Sequence, residues 1–139
     1  MTILKDQLNQ VPPNPTNGAL FYKTFFTVVP PEYSKLFGMD KINPADVPGM
    51  VRFQKLGEDF LKQLNKFVDL ADNEEALKNE VKQFMMNHKN YNVGAKELEK
   101  AEPAWMAFLE SKTGVTPEQR AAWHAFFAKF MQLRCSALL

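Results

Sequence analysis

Two histidines, His88 and His124, supply the only imidazole chemistry in the chain. His88 lies near the end of NEEALKNEVKQFMMNHKNYNV, residues Asn73 to Val93, and Phe84, Val81 and Leu77 precede it by four, seven and eleven positions. That spacing is one stripe of a 3.6-residue period, so it predicts a helix whose histidine points where its apolar face points. A buried imidazole needs a partner at each nitrogen: a hydrogen bond, a metal or a cofactor. On this stretch alone, a core histidine satisfied by hydrogen bonds and a ligating histidine both remain open. His124 shares its row with Arg120 and Ala128, which points to a surface or edge position. Glu74 with Glu75, and Glu97 with Glu99, sit in polar surroundings and read as solvated helix surface. The single Cys135 can form neither an internal disulfide nor a multi-cysteine metal site. Nucleophile elbows, glycine-rich phosphate loops and paired-ligand spacings are absent. A lone histidine cannot hold a bare zinc or iron ion, which takes three or four protein ligands. It can hold iron that brings four equatorial ligands with it, as haem (protoporphyrin IX iron) does.

The elements that must position His88 follow from composition and pattern. A length of 139 residues predicts a single domain spanning 1–139. Seventeen basic and sixteen acidic residues are scattered to a net charge of +1, so no basic stripe favours nucleic acid as a partner. No apolar run reaches membrane-span length, none resembles a signal peptide, and the lone cysteine suits a reducing compartment; a cytoplasmic protein is expected. Twelve phenylalanines and seven methionines predict a core rich in flat and flexible side chains.

Periodicity predicts an all-α protein of six or seven helices. A short one covers Thr2 to Val11, stopped by Pro12, Pro13 and Pro15. The second begins at a cap at Thr16 or Asn17, carries Tyr22, Phe25, Phe26 and Val29 on one face, and ends at Pro30. EYSKLF then makes one or two tight turns to Phe37, and residues 38–47 read as loop. A long helix from Pro48 to Leu70 has Phe53, Leu56, Phe60, Leu64 and Phe67 on its apolar face. Gly57 inside it costs roughly 1 kcal/mol against alanine, so a close approach by another helix or a ligand is expected there. The His88 helix follows. After a connector at 90–94, Leu98, Ala101, Trp105, Phe108 and Leu109 form the next stripe, in which Pro103 makes a kink or a first turn. Thr116, Pro117 and Gln119 have the spacing of a capping box at the head of a last helix reaching about Leu138.

Taken in order, these segments resemble the globin family, particularly the short haemoglobins of flatworms and nematodes. NGALFYKTFF and PPEYSKLF resemble the second and third globin helices, with Phe37 at the aromatic that wedges against the haem. RFQKLGEDFL resembles the distal helix, with Leu56 at the distal position and Gly57 after it. HKNYNVGAKELEKAEPAWMAF resembles the proximal histidine, its corner and the next helix, and TPEQRAAW the start of the last helix. The resemblance spans about Thr16 to Leu133. It implies a globin fold of six to eight helices around a haem pocket, with a short N-terminal helix. It further implies reversible binding of O2, with CO and NO as other diatomic ligands, by a monomer or weak homo-oligomer.

In that frame His88 is the metal ligand, and its free nitrogen donates to the Phe84 carbonyl, helped by Asn87. Phe37, Phe60, Phe84, Val93 and Leu98 contact the haem, while Tyr22, Leu56 and Phe60 form the distal ligand pocket. Arg52, Lys55 and Lys89 are candidates for the propionates. Two departures stand out: the first helix is short, and Leu56 replaces the polar distal residue frequent in the family. Assigning the extra residue at Pro30-Pro31 places Tyr22 opposite the ligand; otherwise the position falls on Lys23. The same site leaves two further functions open, a haem enzyme acting on NO, nitrite or peroxide, and a haem-based sensor. No distal acid-base residue favours peroxide cleavage, and no second domain carries a sensor's output.

Overall fold

The computed structural model describes residues 2–88 and 100–137, with backbone alone for Thr2, Asn87, His88 and 135–137. Among the described residues there are helices and no strand. The α-helices are α1 (Thr2–Leu8), α2 (Pro15–Val28), α3 (Val51–Asp69), α4 (Glu74–His88), α5 (Ala101–Lys112) and α6 (Pro117–Ala137), with 3-10 helices at Pro31–Phe37 and Pro44–Gly49.

Helix ends follow local chemistry. Asn14, rather than Thr16 or Asn17, caps α2: its side chain accepts from the Asn17 N–H at 2.7 Å, and Pro15 takes the first helical position. The capping box of α6 forms as its spacing predicts, with Thr116 N–H donating to Gln119 Oε1 at 2.9 Å and Gln119 N–H to Thr116 Oγ1 at 3.1 Å. The segment 38–47 is less of a loop than its composition suggests, since Asn43 caps the 3-10 turn by accepting from Ala45 N–H. That turn also takes Pro48 and Gly49, so α3 begins at Val51. Pro103 lies in the first turn of α5, where its missing N–H is harmless.

Packing then follows the apolar faces. Helix α2 crosses α3 and also lies against α5; α4 packs on α6, and α1 bridges α3 and α6. The α2–α3 crossing is made by two glycines. A Cβ on Gly57 would lie 2.0 Å from the carbonyl oxygen of Gly18, and one on Gly18 2.3 Å from the backbone nitrogen of Glu58. Any side chain at either position would hold the helices apart, which is why Gly57 is tolerated in mid-helix despite its propensity cost. Trp105, Trp123, Phe53 and Phe108 are fully buried around this crossing and behind it. Each such side chain contributes about 1.5–3 kcal/mol by leaving water.

The short α1 is held by a buried polar residue. Gln7 Oε1 accepts from the Trp123 indole N–H at 2.8 Å, while its Nε2 donates to Thr113 Oγ1 at 3.0 Å and to the Gly114 carbonyl at 3.1 Å. The amide thus meets the partners burial demands and fastens α1 to the α5–α6 corner.

Candidate functional site

Tyr22 sits at the centre of an aromatic cluster that α2, the Pro31–Phe37 turn and α3 build together. Its ring centroid is 5.3 Å from Phe21, 5.4 Å from Phe53 and 5.9 Å from Phe37. One turn of α2 separates Tyr22 from Gly18, so the glycine crossing is what lets the tyrosine reach the face of α3. Its neighbour Lys23 is exposed. Burial pushes the Tyr22 phenol up to about 12; nearby Arg52 opposes this in part and Asp59 adds to it. Tyr22 as a whole is half-buried, and its hydroxyl makes no hydrogen bond to a described residue.

Arg52 closes the outer side of this cluster. Its guanidinium lies 6.0 Å from the Phe37 ring centroid and 5.7 Å from that of Phe53, and its Nη1 donates to the Phe37 carbonyl at 2.6 Å. Of the three basic residues considered for propionates, Arg52 is therefore engaged with Phe37. Lys55 is exposed and faces Asp59 at 3.9 Å, and Lys89 lies outside the described residues.

A second group lies along α3 toward α4 and α6. Phe60, Gln63, Leu64 and Phe67 of α3, Phe84 of α4, Ala101 of α5 and Phe126, Phe127 and Phe130 of α6 enclose a cavity of about 40 Å³ whose walls offer only apolar atoms. Phe84 packs edge-on to Phe67 at 5.4 Å and to Phe130 at 5.8 Å. The two groups are joined by Phe21, which stacks on Phe60 at 4.3 Å and 12°. A larger open groove of about 470 Å³, lined by Glu102, Pro103, Met106, Ala107, Glu110 and Arg120, contains none of the expected site residues.

Of the expected residues, Tyr22 and Phe37 are in direct contact, and Phe60 and Phe84 share the cavity. Leu56 is half-buried one turn before Phe60 and does not line that cavity. His88 is the last residue of α4, four positions beyond Phe84; its side chain and that of Asn87 lie outside the description, as do Val93 and Leu98. His124 is exposed and its Nδ1 lies 2.9 Å from Glu102 Oε2, the surface position expected of it. Glu74 is also on the surface, paired with Lys129, which holds its carboxyl below the usual range. No group of three or more metal-binding side chains occurs among the described residues.

Phe21 and the α6 trio Phe126, Phe127 and Phe130 were not expected at the site. Phe21 stands one helical turn before Phe25, a spacing that could have revealed it. The α6 phenylalanines were legible as a stripe, yet nothing in one sequence says which face of which helix they meet.

The geometry can be compared with known proteins. Residues 19–132 match the globin family. Over 106 residues the chain is 32% identical to a myoglobin of Nippostrongylus brasiliensis, spanning 76% of this chain and 69% of that one. It is 33% identical over 125 residues to a globin-like protein of Caenorhabditis elegans, 84% of this chain and 74% of that one. Among solved structures, a C. elegans globin-like protein superposes with a TM-score of 0.85 at 25% identity, over 99% of this chain and 92% of the other. Ferric Aplysia limacina myoglobin with azide gives a TM-score of 0.82 at 21% identity over 98% and 94%, a likeness of fold. A chain whose described residues form helices and no strand, with this crossing, this aromatic pocket and this match over most of its length, belongs to the globin family, as a haem-based oxygen-binding globin.

Proposed function

We propose that this globin binds O2 reversibly, for storage, supply or scavenging, with His88 as the proximal iron ligand and Tyr22 as the group that holds O2 in the distal pocket. One observation carries the reading: the half-buried Tyr22 ring packs among Phe21, Phe37 and Phe53 on the inner face of α2, with its phenol kept neutral by a pKa pushed up to about 12 and making no hydrogen bond to a described residue.

The residues present fit haem chemically. The flat phenylalanine walls and the absence of polar lining suit an apolar macrocycle, and α4 brings the backbone of His88 one turn beyond Phe84. The gap of about 40 Å³ between those walls is far below the roughly 300–1,000 Å³ of cofactor sites. Seating a macrocycle therefore requires the walls, Phe60 and Phe84 among them, to part. When bound, haem supplies an iron with an open position for a diatomic gas.

The chain's own residues do the rest. Tyr22 offers its proton to the partly negative outer atom of an O2 guest, and the water-poor surroundings strengthen that bond. Phe21, Phe53 and Phe60 exclude water, and Arg52 keeps Phe37 in place through its carbonyl. Phe37, Phe84, Val93 and Leu98 would hold the faces and edge of the macrocycle. Leu56 contributes bulk and no hydrogen bond, so the distal polarity rests on Tyr22.

Stopped-flow O2 dissociation from haem-loaded Tyr22→Phe tests this. A bond of about 1.4 kcal/mol predicts an off-rate about tenfold faster, with CO, whose outer atom carries little charge, nearly unchanged. An O2 off-rate within a factor of about two of the parent, where one hydrogen bond is worth 0.5–1.5 kcal/mol, removes Tyr22 from this role.

A further inference from the structure

Of the described residues that enclose the apolar cavity, Gln63 alone is polar, yet the wall offers only apolar atoms. Its methylene stem therefore lines the cavity while its amide faces elsewhere. Glu80 of α4 draws the amide off: its Oε1 accepts from Gln63 Nε2 at 3.2 Å. The same oxygen lies 3.2 Å from the Nζ of Lys66, one turn further along α3. A residue of the pocket wall is thus tied to the helix that ends at His88.

The two contacts of Glu80 differ in strength. Its side chain is 18% exposed and that of Lys66 61%, so the ion pair is screened at its lysine end. The bond from Gln63 reaches a carboxylate largely withdrawn from water, and a charged acceptor strengthens it. Helix α4 packs mainly on α6 and touches α3 lightly, so α6 carries α4 while few contacts fix its distance from α3. Those contacts are the Glu80 ties and the edge-on meeting of Phe67 with Phe84. Glu80, Phe84 and His88 follow one another at four-residue steps of α4, so the tie and the end of the helix belong to one stripe.

We propose that Glu80 is a positioning residue for the pocket: by clasping the Gln63 amide it sets how closely α4, and with it the proximal end at His88, stands against α3. The clasp adds no polarity to the cavity, because the amide it holds is turned away from it. Its consequence for haem rests on the reading of His88 given above, while the clasp between the helices does not.

Variants of the full-length protein test this. Glu80→Leu should speed haem loss to an excess of acceptor apoglobin about fivefold, the worth of one hydrogen bond, and shift the iron–histidine stretching band of the deoxygenated ferrous protein. The thermal midpoint should fall by no more than about 4 °C, since α6 still carries α4. Gln63→Leu should act alike, and the double variant should lose haem no faster than either single one, because both remove the same bond. Glu80→Gln, which keeps an acceptor oxygen, should return the parent rate and band, and Lys66→Met should leave both unchanged. Should Glu80→Leu fail to fold, Gln63→Leu against Lys66→Met makes the same comparison. Haem loss and an iron–histidine band like the parent's in the clasp variants, or additive effects of the two, overturn the proposal. Should the parent show no Soret band, the haem-based reading fails alone. Amide hydrogen exchange of α4 in the haem-free protein then decides the clasp, which predicts faster exchange from Glu80 to His88 in Glu80→Leu with α6 unchanged; equal exchange overturns it.

Discussion

Gly57→Ala should damage this protein more than any other single added methyl along α3. The new Cβ would stand 2.0 Å from the Gly18 carbonyl oxygen, 2.2 Å from its carbon and 2.3 Å from its Cα. Ordinary contact is about 3.5 Å, so the helices must separate by about 1.5 Å, and every obstructing atom is backbone. Overpacking costs typically about 1–3 kcal/mol, and rigid obstruction argues for the upper end. Alanine returns about 1 kcal/mol of helix propensity. The net expectation is a loss of about 2 kcal/mol, roughly a thirtyfold fall in the folded-to-unfolded ratio. Urea denaturation should show a lower midpoint at unchanged slope. Parting α2 from α3 also opens the Phe21–Phe60 stack and draws Tyr22 away from the pocket, so O2 should leave faster as well. Gly18→Ala should act alike, and the double variant should cost less than the sum, because one displacement serves both methyls. Gly49 supplies the contrast: its Cβ would meet nothing within 4 Å and its φ is not positive, so Gly49→Ala should be neutral or slightly stabilising. A Gly57→Ala protein as stable as its parent would refute the account of the crossing.

Three further outcomes follow. Tyr22 has a folded pKa raised from 10.0 to about 12, so the stability tied to its neutral form is complete below pH 10 and is lost as pH rises through about 12. The difference in unfolding free energy between parent and Tyr22→Phe should change over that window by about 3 kcal/mol, and a flat difference would mean the phenol is not desolvated. Gln7→Leu leaves the Trp123 indole and Thr113 without their partner, so a loss of about 2–4 kcal/mol is expected in chemical denaturation, with α1 losing its amide-exchange protection. His88→Gly should abolish haem uptake, read from the Soret band, and added imidazole should restore it; undiminished uptake without imidazole would exclude His88 as the ligand.

The sequence carried the helix order because each apolar stripe has a 3.6-residue period and prolines mark the ends. It misplaced the α2 cap, since Asn14, Thr16 and Asn17 are all competent caps and only Pro15 at the first helical position discriminates among them. Gly57 announced a close approach, but its partner, Gly18, was not nameable, because a crossing joins two segments that share no local pattern. For the same reason Phe21 and the α6 phenylalanines were read as core without being assigned to the pocket. His88 remains the residue on which sequence says most, since its side chain lies outside the described residues.

Which of Tyr22 and Lys23 packs inward has a physical reason. The prolines at 30 and 31 allow either Tyr22 or Lys23 to face the pocket. An ammonium placed among Phe21, Phe37 and Phe53 would lose its hydration beside the Arg52 guanidinium, with only the exposed Asp59 near to offset it, a cost of several kcal/mol. A phenol in the same place loses one water hydrogen bond and keeps its proton. The structure turns Lys23 to solvent and packs Tyr22 among the rings. The helix could not rotate to the other register without also withdrawing Gly18 from Gly57, since Gly18 and Tyr22 are one turn apart on the same face. The crossing that sets the distance between α2 and α3 therefore also selects which side chain of α2 joins the aromatic cluster.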